Sequence, residues 1–95
     1  MKIAKIIGTV TLNRHLPSFK GARLKLAVPY SLDELTSDAE PTADTSVLWD
    51  DIGAGIGDKV AMAEGPEASQ PFRPELKPVE AYNAAILDHI DIRID

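Results

Sequence analysis

Apolar and polar positions alternate from Ile3 to Leu12. Ala4, Ile6, Gly8, Val10 and Leu12 share one face, and Ile3, Lys5, Ile7, Thr9 and Thr11 share the other. Side chains alternate across a strand, so a period of two over β-branched residues predicts one. Residues Asn13 to Gly21 carry Pro17 and read as a turn-bearing loop. Arg23 to Val28 alternates again and predicts a second strand, with Leu24, Leu26 and Val28 facing the core and Pro29 ending it. Tyr30 to Thr45 is polar, acidic and interrupted by Pro41, and reads as a long surface loop. Ser46 to Trp49 predicts a third strand and Lys59 to Ala63 a fourth. Prolines at 66, 71, 74 and 78 leave room for one turn of helix at "PEAS" within an extended connector. Ala81 to Leu87 is compatible with helix or strand. Ile90 to Asp95 alternates isoleucine with charge and predicts a final strand. About five short strands with little helix predict a mainly β fold: a small, partly open OB-like antiparallel β-barrel.

The chain has 95 residues, which fits one domain spanning 1–95. It has no cysteine, which removes disulfides and thiolate metal sites. The N-terminus lacks the pattern of a secretory signal, and no apolar run approaches the roughly 20 residues of a membrane span. The expectation is a soluble, cytoplasmic protein. Fifteen acids against ten bases give a net charge of −5. Between Leu26 and Asp58 there is no Lys or Arg, but eight carboxylates. Such a surface repels phosphate backbones and anionic lipid.

The stretch "DDIGAGIGDKV" from Asp50 to Val60 holds three of the six glycines. A dinucleotide fold needs G-x-G-x-x-G before a helix, and an NTPase loop needs a Lys-Ser or Lys-Thr. Here the spacing is G-A-G-I-G, a strand follows, and three aspartates flank the glycines. A phosphate site is therefore disfavoured. Alternate glycines instead suit a tight turn or a close approach of backbones. Asp50 is the candidate to support that turn, because Asp side chains accept from nearby backbone N–H groups.

Other chemistry finds little support. His15 and His89 are the only histidines, too few for the three or four ligands of a zinc site. There is no G-x-S-x-G elbow. Single-stranded nucleic acid would need aromatics in a basic groove. Of the five aromatics, none lies in a basic run, and Trp49 stands beside Asp50 and Asp51. Two rival readings remain: an OB-like module binding single-stranded nucleic acid or another protein, and a small enzyme using its carboxylates.

Three segments resemble the vertex proteins of bacterial microcompartments, the EutN/CcmL or BMC-P family. "MKIAKIIGTVTLNRHLPSFKGARLKLAVP" is similar to the family's opening strand, loop and second strand. "LWDDIGAGIGDKVAMAEGPEA" resembles its glycine hallmark. "KPVEAYNAAILDHID" resembles its closing segment. The order and spacing cover nearly the whole chain. Two departures stand out. The family's "G-S-x-A-R" is replaced by Gly65-Pro66-Glu67-Ala68-Ser69, and Asp-Ala-Ala by Glu80-Ala81-Tyr82.

The resemblance implies an OB-like barrel assembling as a cyclic homopentamer. Such pentamers cap the five-fold vertices of a polyhedral shell in the cytoplasm. The implied partners are hexameric shell proteins and the enclosed enzymes, with no nucleic acid and no membrane. No catalytic residue, cofactor or metal is implied. Gly53, Ala54, Gly55, Ile56, Gly57 and Asp58 become candidates for the five-fold axis or the subunit contact beside it, with backbone and Asp58 lining a small opening. Residue patterns alone do not choose five subunits over six.

Overall fold

The computed structural model describes residues 1–11, 23–73 and 79–92. The loop expected at 13–21 and part of the proline-rich connector lie outside them. Five strands are present: β1 (Lys2–Val10), β2 (Leu24–Pro29), β3 (Ser46–Trp49), β4 (Lys59–Glu64) and β5 (Ala81–Leu87). They close a barrel in the order β1-β2-β3-β5-β4. The barrel is closed, where the sequence reading left it partly open. Most neighbours are antiparallel, but β3 meets β5 in parallel at Trp49 and Tyr82.

The barrel core gathers Ala4, Ile6, Ala27, Leu48, Ala54, Val60, Met62 and Ala81. Small residues recur here because the inside of a five-stranded barrel is narrow. A second cluster holds Trp49, Ala68 and Val79, with Leu24, Phe72 and Tyr82 packed against it.

The expected faces need two corrections. The ladder between β1 and β2 shifts between Ile6 and Gly8. Such a bulge reverses which face the following residues take. Gly8 therefore pairs with Leu26, which pairs with half-exposed Val47, and this row leaves the inward face of Ala4 and Ile6. In β2, Val28 is buried as expected, but Ala27, opposite Ile6, enters the barrel core, Leu26 is only half-buried, and Leu24 joins the second cluster.

The acidic stretch is not wholly loop. Leu32–Ser37 forms a short helix, α1. The Ser31 hydroxyl accepts from Glu34 N at 3.1 Å, and the Glu34 carboxylate accepts from Ser31 N at 2.9 Å. This reciprocal box satisfies two N–H groups that a helix start leaves open. Asp38 ends the helix in a left-handed conformation at φ 56°. Glu34 also accepts from Thr42 N and Oγ1, and Lys5 pairs with Glu40, so the segment is tied back to the barrel.

After β4, Pro66–Ser69 makes the single helical turn expected at "PEAS" (α2), and a 3₁₀ turn follows at Gln70–Phe72. The ambiguous Ala81–Leu87 is extended. The final strand expected at Ile90–Asp95 is not found over Ile90–Ile92, which lie beyond β5 in irregular backbone. Arg93 to Asp95 lie outside the described residues. The alternating pattern there is real, but β5 has already filled the place between β3 and β4.

Candidate functional site

The glycine segment runs from the end of β3 to the start of β4. Asp50 stands at its entrance, fully buried. Its Oδ1 accepts from Ile52 N at 3.1 Å, from Gly53 N at 3.1 Å and from Asn83 Nδ2 at 3.0 Å. Its Oδ2 accepts from Ala54 N at 2.8 Å. One carboxylate thus gathers three consecutive backbone N–H groups and one amide from β5. Burial works to raise the Asp50 pKa. The bonds from Asn83, Gly53, Ile52 and Ala54 outweigh it and hold the group below its ordinary value. Asp50 is fixed as an anion with its lone pairs engaged, which suits a structural role better than proton transfer.

The second half of the segment is a turn built on Asp58. Gly55 N donates to Asp58 Oδ2 at 2.8 Å, and Asp58 N donates to Gly55 O at 3.1 Å. Two more bonds clamp this turn to β1: Gly57 N to Ile6 O at 2.7 Å, and Ile6 N to Asp58 O at 2.9 Å. Ala54 points inward and is buried in the core. Gly53, Gly55 and Gly57 are exposed, and Ile56 at the tip is 72% exposed. Ile52 is half-exposed beside it. The segment therefore presents two isoleucines and a strip of bare backbone from a rigid frame.

The three glycines differ in what they require. Gly53 and Gly57 have φ of 92° and 95°, where side chains bring strain. Gly55 does not, and a Cβ there would meet only Asp58 Oδ2, at an ordinary 3.7 Å. Gly57→Ala should therefore cost about 1–2 kcal/mol of stability, seen as a lower melting temperature. Gly55→Ala should leave the melting of the isolated subunit almost unchanged. A Gly57→Ala variant as stable as the parent would contradict this difference.

Two residues of this region did not emerge from the sequence as site residues. Asn83 lies opposite Met62 on β5, fully buried, and its amide joins Asp50 to the far strand. Its Oδ1 has no hydrogen-bond partner among the described residues. Its signal was a polar residue at an inward position of a small-residue strand. Asp51 is exposed and accepts from Trp49 Nε1 at 2.8 Å and from Tyr82 OH at 3.3 Å. Trp49 is 4% exposed and edge-packed on Phe72, so its ring is core and not a base-stacking platform. Among the described residues, no group of three or more potential ligands could hold a metal ion.

Comparison with known proteins gives this geometry a family. The family model described as ethanolamine utilisation protein EutN/carboxysome matches residues 1–88. The bacterial microcompartment shell vertex protein PduN of Salmonella typhimurium is 34% identical over 92 residues, covering 96% of each chain. The carboxysome shell vertex protein CcmL of a Nostoc species is 37% identical over 95 residues, covering 97% of this chain and 87% of that one. Among solved structures, the pentameric microcompartment shell protein GrpN of Rhodospirillum rubrum superposes with a TM-score of 0.81. It is 26% identical, and the match covers 98% of this chain and all of that one. The chain belongs to the EutN/CcmL family.

Proposed function

We propose that residues 1–95 form one vertex domain, that five copies close a ring, and that the ring caps the five-fold vertices of a microcompartment shell in the bacterial cytoplasm. The observation that carries this reading is agreement along nearly the whole chain with proteins named for the shell vertex. A pentameric relative of the same fold supports the subunit number. The role is structural and not catalytic: the two carboxylates built into the glycine segment, Asp50 and Asp58, are used to hold backbone. The partners in this reading are hexameric shell proteins around the ring and, on the enclosed side, the encapsulated enzymes.

Within the ring, the segment Gly53 to Asp58 is our candidate for the subunit contact or the axis beside it. The support is its exposed Ile56 on a clamped turn and its lack of side-chain bulk. Single-stranded nucleic acid as the ligand has no comparable support, since Trp49 is buried and the stretch from Leu26 to Asp58 holds no base. Light scattering coupled to size exclusion tests the reading. The expected mass is five times that of the chain, and a strict monomer at high concentration would overturn it.

A further inference from the structure

Asp51 takes no part in supporting the turn. Its two oxygens are instead fixed by aromatic donors, the Trp49 indole at 2.8 Å and the Tyr82 hydroxyl at 3.3 Å. Phe72 packs edge-on against both rings, with centroids 4.7 and 5.5 Å away, and so holds the donors in place. An ionised carboxylate offers about four acceptor directions, so Asp51 keeps acceptor capacity toward solvent. The carboxylate is exposed, and among the described residues no cation pairs with it. Loss of proton from Tyr82 is opposed by burial first and by the Asp51 charge next, which is the same unbalanced field seen from the ring.

Among the described residues, several bases have no ion-pair partner. Lys2 pairs with Glu64, Lys5 with Glu40, and Lys59 lies over the Tyr30 ring. Arg23, Lys25 and Arg73 have no acidic partner among the described residues. A ring contact is heterologous: one patch of a subunit meets a different patch of the next. An acid and a base that do not meet within one subunit are free to meet across such a contact.

We infer that Asp51 is the receptor for a guanidinium or ammonium group contributed by the adjacent copy of this chain. The inference rests on the ring proposed above. The carboxylate is already immobilised, so little entropy is lost when the cation arrives. Arginine suits it best, because its planar fork matches two fixed oxygens. The apolar stem of the incoming side chain would cover half-exposed Ile52 next to Asp51.

Asp51→Asn removes the charge and keeps an acceptor for Trp49. Sedimentation across a concentration series, at low salt and at about 1 M NaCl, measures ring dissociation for parent and variant. Far-ultraviolet circular dichroism and a thermal melt report whether the barrel is intact. At low salt the variant ring should dissociate at a concentration at least about tenfold higher than the parent. High salt should weaken the parent ring and change the variant much less, while Asp51→Glu should keep the salt response. A D51N ring equal to the parent in both salts overturns the inference and leaves the ring proposal standing. A parent that is monomeric throughout overturns the ring proposal, and this inference with it. Should D51N not fold, the parent decides: a ring whose dissociation ignores salt refutes the pairing.

Discussion

Asp50→Ala should lower the melting temperature by more than about 10 °C. The side chain serves four donors at once, three of them consecutive backbone N–H groups. Hydrogen bonds to a charged group contribute about 1.5–3 kcal/mol each, and buried donors left open carry a full desolvation cost. Water can reach the N–H groups of exposed Ile52 and Gly53, but not those of Ala54 and Asn83, which are buried. A net loss of about 3 kcal/mol follows, and each kcal/mol moves the midpoint of a domain this size by about 4–8 °C. Protein concentration must be held fixed, because assembly also stabilises the subunit.

The pH dependence carries the same signature. A carboxylate whose folded pKa is depressed stabilises the fold above its unfolded value, and that stability is lost as pH falls through the folded value. The Asp50 contribution should therefore be complete above the ordinary 3.8 and decline only in more acidic solution. Asp50→Asn should be less stable at neutral pH and show a flatter acid limb. Thermal melts of both proteins between neutral and acid pH check this, and parallel curves would remove Asp50 from the account.

Gly55→Leu should abolish the ring while leaving a folded barrel. Gly55 has neither the positive φ of its neighbours nor a close contact within the subunit. A side chain there is tolerable until a second chain approaches. Overpacking a close contact costs about 1–3 kcal/mol, and the cost recurs at every interface of the ring. Sedimentation should find monomer where the parent is a ring, with circular dichroism of a β protein retained. A Gly55→Leu chain that still sediments as a full ring would place the subunit contact elsewhere.

Much of the barrel could be read from period two. Strands β1 and β2 were legible because their apolar residues alternate, and β3 and β4 as short apolar runs on either side of the glycine segment. β5 was not, because Ala81, Ala84 and Ala85 carry no strong preference, and its state is decided by pairing with β4. The tail at Ile90 misled because alternation reports a local preference and not whether a sheet position is vacant. Helix α1 had a signal, Ser31 followed three residues later by Glu34, which was submerged in the acidity around it. The bulge at Ile7 had none, since apolar and polar residues keep alternating through it in the sequence while the faces they take reverse. At the site, Asp50 and the glycines were visible as types at a spacing. The separate demands of Gly53, Gly55 and Gly57 were not, because they depend on φ. Asn83 acts from a distance of thirty-three residues, which no local pattern encodes.

The join between β3 and β5 bears on how the subunit comes apart. Every other seam of the barrel has at least four paired positions, while this one has a single bridge, Trp49 to Tyr82. Backbone protection against solvent exchange should be weakest here, and Phe72, wedged against both rings, works as a latch on an otherwise thinly fastened cylinder. Both rings that Phe72 holds donate to Asp51, at the start of the glycine segment. Opening of this seam should therefore loosen the glycine segment as well, and a neighbour that grips the segment should help keep the cylinder shut.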